Sequence, residues 1–226
     1  MASSIDERRV LGVFAKQPQP GEVKTRLAAA TSREFAVQVA AAFLADSLDR
    51  FASVRARRII AFTPAGARTY FEADGRFDLV LQGDGDLGSR LERFITSHIA
   101  AGADDVVVVG TDSPTLPTSF IEDAFDRLAT ADIVLGPATD GGYYLIGCGR
   151  RVPLIFTNIR WSSAAVLGET VAHLDRSWRL ALLPPWYDVD SLDDWRMVCG
   201  HVAALRRAGI DPAVPRTEAL CRSDVP

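Results

Sequence analysis

The sequence predicts an α/β protein on a mostly parallel sheet. Short apolar runs alternate with segments of helical periodicity through the first two-thirds of the chain, the pattern of right-handed βαβ crossovers. Residues 106–109 are four consecutive valines. A run without polar alternation reads as a strand covered on both faces. Polar loops containing proline or glycine follow the first, third and fourth runs, where an open α/β sheet gathers ligands outside the carboxyl ends of its strands.

Taken in order, residues 9–15 form a first buried strand. Residues 16–27 follow as an irregular loop with two prolines, a glycine and the cations Lys16, Lys24 and Arg26. Such a loop can hold phosphates through backbone N–H groups and charge-assisted hydrogen bonds, although it is neither a Walker A nor a GxGxxG sequence; a solvated basic loop is the competing reading. Thr31 or Ser32 caps a helix reaching about Arg50. Residues 57–63 are a second strand, 67–73 a short helix and 77–82 a third strand. Gly83, Gly85 and Gly88 follow, permitting close backbone approach to a ligand. Gln82 offers an amide with donor and acceptor, suited to the edge of a nucleobase. A helix then runs to about Ala101.

The valine strand ends at Gly110 and delivers Asp112 to the sheet's carboxyl edge. Asp112 serves there as a ligand-binding carboxylate or as an ordinary helix N-cap. Residues 117–130 are an amphipathic helix and 131–137 a fifth strand. Asp140, Gly141 and Gly142 form a tight turn into the next strand, able to pass close to an acceptor with Asp140 as contact or base. Ser162 or Ser163 caps a helix to about Leu174, and 178–183 is a late strand. Asp188 and Asp190, two apart on an extended segment, share a face. Like charges so held call for a cation, and with oxygen ligands Mg²⁺ or Mn²⁺ is the natural one. Ser191 and Asp194 form a capping box for the last helix, to about Ala208. Trp161 and Trp186 lie in loops, as acceptor-pocket walls or as core. His98, His173 and His201 show no ligand spacing and read as structural or surface residues.

The 226 residues, 48% hydrophobic, suffice for one domain over 8–208, with a loose Pro-containing tail at 209–226. A net charge of −4 argues against a general nucleic-acid binder. Cys148, Cys199 and Cys221 show no CxxC pattern, which suggests a reducing compartment without a disulfide framework or zinc site. Residues 1–9 are polar and unlike a signal peptide, and no run approaches the roughly 18 apolar residues of a membrane span. A cytoplasmic protein is expected.

The segments 14–27, 82–90, Gly110-Thr-Asp-Ser-Pro114, 136–147, Ile159-Arg-Trp161 and Asp188-Val-Asp190 occur in the order found in a bacterial family of GT-A-type glycosyltransferases. That family is sometimes linked to arsenosugar biosynthesis or described only as nucleotide-diphospho-sugar transferase-like. The resemblance covers about residues 8–200. More distantly the chain is similar to phospholactate and molybdenum-cofactor guanylyltransferases, whose first loop is richer in glycine than the proline-bearing loop here. The resemblance implies a Rossmann-like three-layer GT-A (nucleotide-diphospho-sugar transferase) fold, a mostly parallel sheet with a smaller antiparallel portion around the acceptor, and a bound Mg²⁺ or Mn²⁺. It implies that Lys16, Lys24 and Arg26 contact phosphates, that Gln82 and Gly88 contact the base, that Asp112 is the metal or ribose-side carboxylate, and that Asp190, with Asp188 as the other candidate, is the second metal ligand. Asp112 and Asp140 are then the catalytic candidates, with Gly141, Gly142 and Trp161 at the acceptor.

The leading expectation is a metal-dependent transferase using a nucleotide-diphosphate sugar donor and a small-molecule acceptor. A nucleotidyltransferase joining an NTP to a small phosphorylated acceptor, with pyrophosphate release, is the second reading. A non-catalytic nucleotide-binding protein is the third. None involves a nucleic acid or a membrane, and each is compatible with a homodimer.

Overall fold

The structure is a computed structural model that describes residues 5–223. The reading of residues 1–4 and the last three residues of the expected tail lie outside that range. In chain order the elements are β1 (Arg9–Lys16), α1 (Thr25–Ala30), α2 (Arg33–Phe51), β2 (Arg57–Thr63), α3 (Arg68–Glu72), β3 (Asp78–Leu81), α4 (Leu87–Ala100), β4 (Asp105–Val109), α5 (Thr118–Leu128), β5 (Ile133–Pro137), β6 (Tyr143–Cys148), α6 (Val166–Ala172), β7 (Leu180–Leu182), α7 (Leu192–Arg207) and α8 (Pro215–Cys221). The strands form one sheet in the order β3-β2-β1-β4-β6-β5-β7. β1 pairs in parallel with β2 and β4, and β2 with β3. β6 runs antiparallel between β4 and β5, and β5 pairs in parallel with β7. This is the predicted α/β class, with β6 as the reversed strand.

The valine strand shows why the prediction works. Val107 and Val109 pack into one apolar layer with Leu48, Phe62 and Phe125. Val106 and Val108 pack into the opposite layer with Leu91, Phe94 and Ile95. Helices therefore cover both faces, and a strand buried on both sides needs apolar residues at every position. A third cluster, centred on Trp195 with Phe35, Phe43 and Val198, joins α2 to α7 and the segment before α8. From β1 the chain steps outward to β2 and β3, then returns to β4 on the other side of β1. The β1/β4 boundary is thus the switch point, where a crevice opens.

Helix termini mostly follow their sequence signals. Ser32 accepts the Phe35 amide to cap α2, and Ser191 and Asp194 form the expected capping box on α7. The predicted Ser162/Ser163 cap is displaced: α6 starts only at Val166, because residues 162–165 form turns along the crevice.

The region after residue 208 departs from the loose tail expected. α8 folds back on α2, and Asp46 of α2 accepts hydrogen bonds from the Thr217 amide and hydroxyl, both 2.8 Å, and from the Arg216 amide, 3.2 Å. α8 has no side-chain cap of its own, so Asp46 satisfies the unpaired amides of its first turn from another helix. The same docking overturns the cysteine reading. Cys199 of α7 and Cys221 of α8 form a disulfide with Cα atoms 5.3 Å apart. A count of cysteines cannot see that two helices bring a pair into bonding range, and it no longer argues for a reducing compartment. Cys148 is the free cysteine among the described residues; its burial pushes the thiol up to about 12. No described helix is long and apolar enough to cross a membrane.

Candidate active site

A crevice of about 580 Å³ opens beyond the carboxyl ends of β1 and β4. One side is apolar: Phe14 at the end of β1, Leu87 and Leu91 at the start of α4, and Trp161. The other carries Asp112, Asp140, Asp188 and Asp190, with Arg26 as the one cation in the lining. A smaller polar recess shares Arg26, Asp140, Asp188 and Asp190 and adds Thr139, Ser191 and Asp194. The carboxylates thus form a ridge between an apolar chamber and a polar recess.

Backbone pairing explains the ridge. After β4 the chain turns at Gly110, and the Val189 amide donates to the Asp112 carbonyl at 3.1 Å. The segment entering α7 is therefore laid against the turn after β4, which brings Asp188 and Asp190 beside Asp112. Asp188 is directed inward: the Ser113 hydroxyl donates to its carboxylate and to the Tyr187 carbonyl, the latter at 2.7 Å. Burial pushes Asp188 up to about 7 against the lowering effect of the Ser113 hydrogen bond, with Asp112 and Asp140 raising it further. Asp190 points to the basic loop and accepts from Arg26 Nη2 at 2.6 Å.

Lys24 sits at the centre. It precedes α1 in the left-handed region, with φ 45°. Its Nζ donates to Asp112, to the Val189 carbonyl at 2.6 Å and to Asp190 Oδ1 at 3.3 Å. The side chain is 4% exposed. Burial alone would lower its pKa, but Asp112 and Asp190 outweigh it and hold the ammonium above the usual lysine value.

The Asp140 turn is held from both sides. Asp140 Oδ1 accepts the Gly142 amide at 2.9 Å, and the Leu167 amide donates to the Gly141 carbonyl at 2.9 Å. Gly141 has φ +94°, and a Cβ there would stand 2.4 Å from the Ala164 carbonyl oxygen. Gly141→Ala is therefore expected to cost roughly 2 kcal/mol, lowering the midpoint of thermal unfolding by roughly 4–8 °C for a chain of this size. An unchanged midpoint would show that the turn is not clamped.

The structure gathers Arg26, Asp112, Asp140, Asp188, Asp190, Gly142 and Trp161 in the lining of one crevice, with Lys24 buried behind its carboxylates and Gly141 packed on its rim. It does not bring the other three candidates to the lining. Lys16 points away and pairs with Glu22 at 2.6 Å. Gln82 is buried, its amide donating to the Ala61 carbonyl at 2.8 Å and the Ala15 carbonyl at 3.4 Å. It ties β3 to β1 and β2 rather than reading a base edge. Gly88 is a packing glycine: a Cβ would meet the Phe156 carbonyl oxygen at 2.4 Å and the Trp161 ring at 2.7 Å. The sequence reading missed Phe14, Leu87 and Ser113. Leu87, a leucine at the first position of α4 that stays 44% exposed, follows from no periodicity. Ser113 could have been found from its place beside Asp112.

Among the described residues no group of three or more His, Cys, Asp or Glu forms a metal-binding cluster. The donor set nevertheless fits a hard divalent cation. Asp112 and Asp190 offer carboxylate oxygens; both already share the Lys24 ammonium, and Asp190 also holds Arg26. Two protein carboxylates completed by a substrate's phosphates are the usual provision for Mg²⁺.

Comparison with known proteins agrees with this architecture. The crystal structure of a Desulfovibrio desulfuricans G20 protein, provisionally named a nucleotide-diphospho-sugar transferase, is 31% identical, with a TM-score of 0.85 over 96% of this chain and 98% of that one. A cytidylyltransferase from Leptospira borgpetersenii is 9% identical, with a TM-score of 0.54 over 98% and 99% of the two chains. The 4-diphosphocytidyl-2C-methyl-D-erythritol synthase of Anaerococcus prevotii is also 9% identical, with a TM-score of 0.52 over 87% and 100%. At 9% identity the likeness is one of fold. No curated protein sequence matches. The three-layer sheet with its reversed strand is the nucleotide-diphospho-sugar transferase fold predicted from the sequence. Residues 45–163, just over half of the chain, match the family described as "Uncharacterized protein conserved in bacteria (DUF2064)", and with that span and the 31% identical relative the chain belongs to this family.

Proposed function

We propose that the protein is a divalent-metal-dependent transferase that takes a nucleotide-diphosphate sugar and moves the sugar to a small acceptor. The observation that carries this is the ridge of Asp112, Asp140, Asp188 and Asp190 at the switch point of the sheet, with one cation in the lining. An anionic donor entering such a crevice meets repulsion unless a cation accompanies it. Asp112 and Asp190 would hold that cation. When bound, it neutralises the diphosphate and makes it a better leaving group. Arg26 supplies the chain's own positive charge in the lining beside the phosphates, with Lys24 behind the carboxylates. Phe14, Leu87 and Trp161 give the uncharged part of the donor an apolar wall that excludes water. Asp140, with one oxygen fixed by the Gly142 amide, holds the acceptor hydroxyl and receives its proton. The name of the 31% identical relative supports the same substrate class.

Charge favours glycosyl over nucleotidyl transfer. A phosphorylated acceptor needs cations on its side of the site, whereas the polar recess presents Asp140, Asp188, Asp190 and Asp194 with Arg26, itself paired to Asp190. A hydroxyl-bearing neutral acceptor fits carboxylate acceptors. The test is product analysis with a panel of sugar nucleotides and NTPs in Mn²⁺, preceded by a thermal-shift screen for ligands of the folded state. Release of a nucleoside diphosphate from a sugar nucleotide is expected. Pyrophosphate release from an NTP would establish nucleotidyl transfer instead. Stabilisation by nucleotides without turnover of any donor would leave a binding protein.

A further inference from the structure

We propose that Lys24 is the resident counter-cation of the Asp112–Asp190 pair, and that a divalent ion enters the pair only by displacing its ammonium. This rests on the reading that the pair holds the ion. The three ammonium protons match three acceptors inside the protein: Asp112, Asp190 and the Val189 carbonyl. None is left for a substrate phosphate while that arrangement lasts. The stem is shut away from solvent, and Nζ lies 5.4 Å from the centre of the Phe43 ring. The ammonium occupies Asp112 Oδ1 and Asp190 Oδ1, and a divalent ion placed between the same two oxygens would stand against its like charge. Those oxygens therefore bind Lys24 or the ion, while Arg26 keeps Asp190 Oδ2.

The exchange has a consequence for donor binding. A displaced ammonium needs a new anion, and the diphosphate of the donor is the anion that arrives at this crevice. Ion and donor then bind better together than separately, and by linkage each raises the affinity of the other equally. In the absence of donor the wild-type protein should hold the ion weakly despite its carboxylates.

The experiment titrates Mn²⁺ alone into the full chain, with free ion followed by electron paramagnetic resonance. Lys24→Met keeps an unbranched side chain, one atom shorter, and removes its charge. It is expected to bind Mn²⁺ at least tenfold more tightly than wild type without nucleotide. Lys24→Arg, which keeps the charge, should remain as weak as wild type. Adding Asp112→Asn to Lys24→Met should cancel the gain. If Lys24→Met binds Mn²⁺ no better than wild type while Asp112→Asn weakens binding, the displacement idea fails and the metal site stands. If Asp112→Asn leaves the Lys24→Met affinity unchanged, the ion binds elsewhere and both fail. Should Lys24→Met not fold, the wild-type protein gives the answer by amine acylation read by mass spectrometry. Saturating Mn²⁺ should raise labelling of Lys24 severalfold, and unchanged labelling would overturn the proposal.

Discussion

Asp112→Asn is expected to reduce kcat/KM for transfer on the order of a thousandfold, the scale seen when one preorganised electrostatic group is removed from a reacting centre. Asparagine keeps the shape of the side chain and one acceptor oxygen but removes the charge. Lys24 retains Asp190 and the Val189 carbonyl as partners, and the Asp112 carbonyl continues to accept the Val189 amide. The fold should therefore survive, with the unfolding midpoint within a few degrees of wild type. Mn²⁺-dependent affinity for the donor should fall with the rate. An unchanged metal-dependent affinity would remove Asp112 from the site, whatever the rate does.

Asp46→Ala should be the most damaging substitution for stability, far from the crevice. Asp46 is 0% exposed. Its two oxygens accept from the Thr217 amide and hydroxyl and from the Arg216 amide and guanidinium. Alanine removes the cap of α8 and leaves the buried Thr217 amide and hydroxyl without partners, while the half-exposed Arg216 guanidinium keeps Asp49. Leaving two buried donors unsatisfied costs about 1–3 kcal/mol each, which for a chain of this size lowers the unfolding midpoint by on the order of 10 °C. Asp46→Asn, which retains one acceptor oxygen, should lose about half as much. Because α8 also carries Cys221, the Asp46→Ala loss should grow when the disulfide to Cys199 is reduced. A midpoint within 2 °C of wild type would mean that α8 is held by its apolar contacts and the disulfide rather than by its cap.

How far the sequence could be read depended on whether a residue's partners were local. The valine strand, the Ser32 cap and the Ser191–Asp194 box are short-range signals, and all three appear as read. The positions of Asp112, Asp140 and Asp190 were legible because each closes or follows a strand whose direction the alternation of elements fixes. Gln82 shows the opposite case. A polar residue ending a strand among glycines looks like a ligand contact, yet its amide satisfies two backbone carbonyls at the ends of neighbouring strands. Only the pairing of β1, β2 and β3 reveals that demand. Lys24 was placed among the phosphate contacts, but its burial between two carboxylates depends on residues 88 and 166 positions away. Asp46, which the sequence reading passed over, is a charge on the apolar side of α2 whose partners lie in a helix 170 residues further on. The disulfide was hidden for the same reason.

The most direct test of the central claim is a crystal of the wild-type protein grown with Mn²⁺ and whichever sugar nucleotide stabilises it, with the ion located by anomalous scattering. An ion coordinated by Asp112 and Asp190 is expected, with the donor's diphosphate against it and Lys24 turned toward the phosphates. An ion or nucleotide bound outside this crevice, with Lys24 still closing the carboxylate pair, would contradict the account.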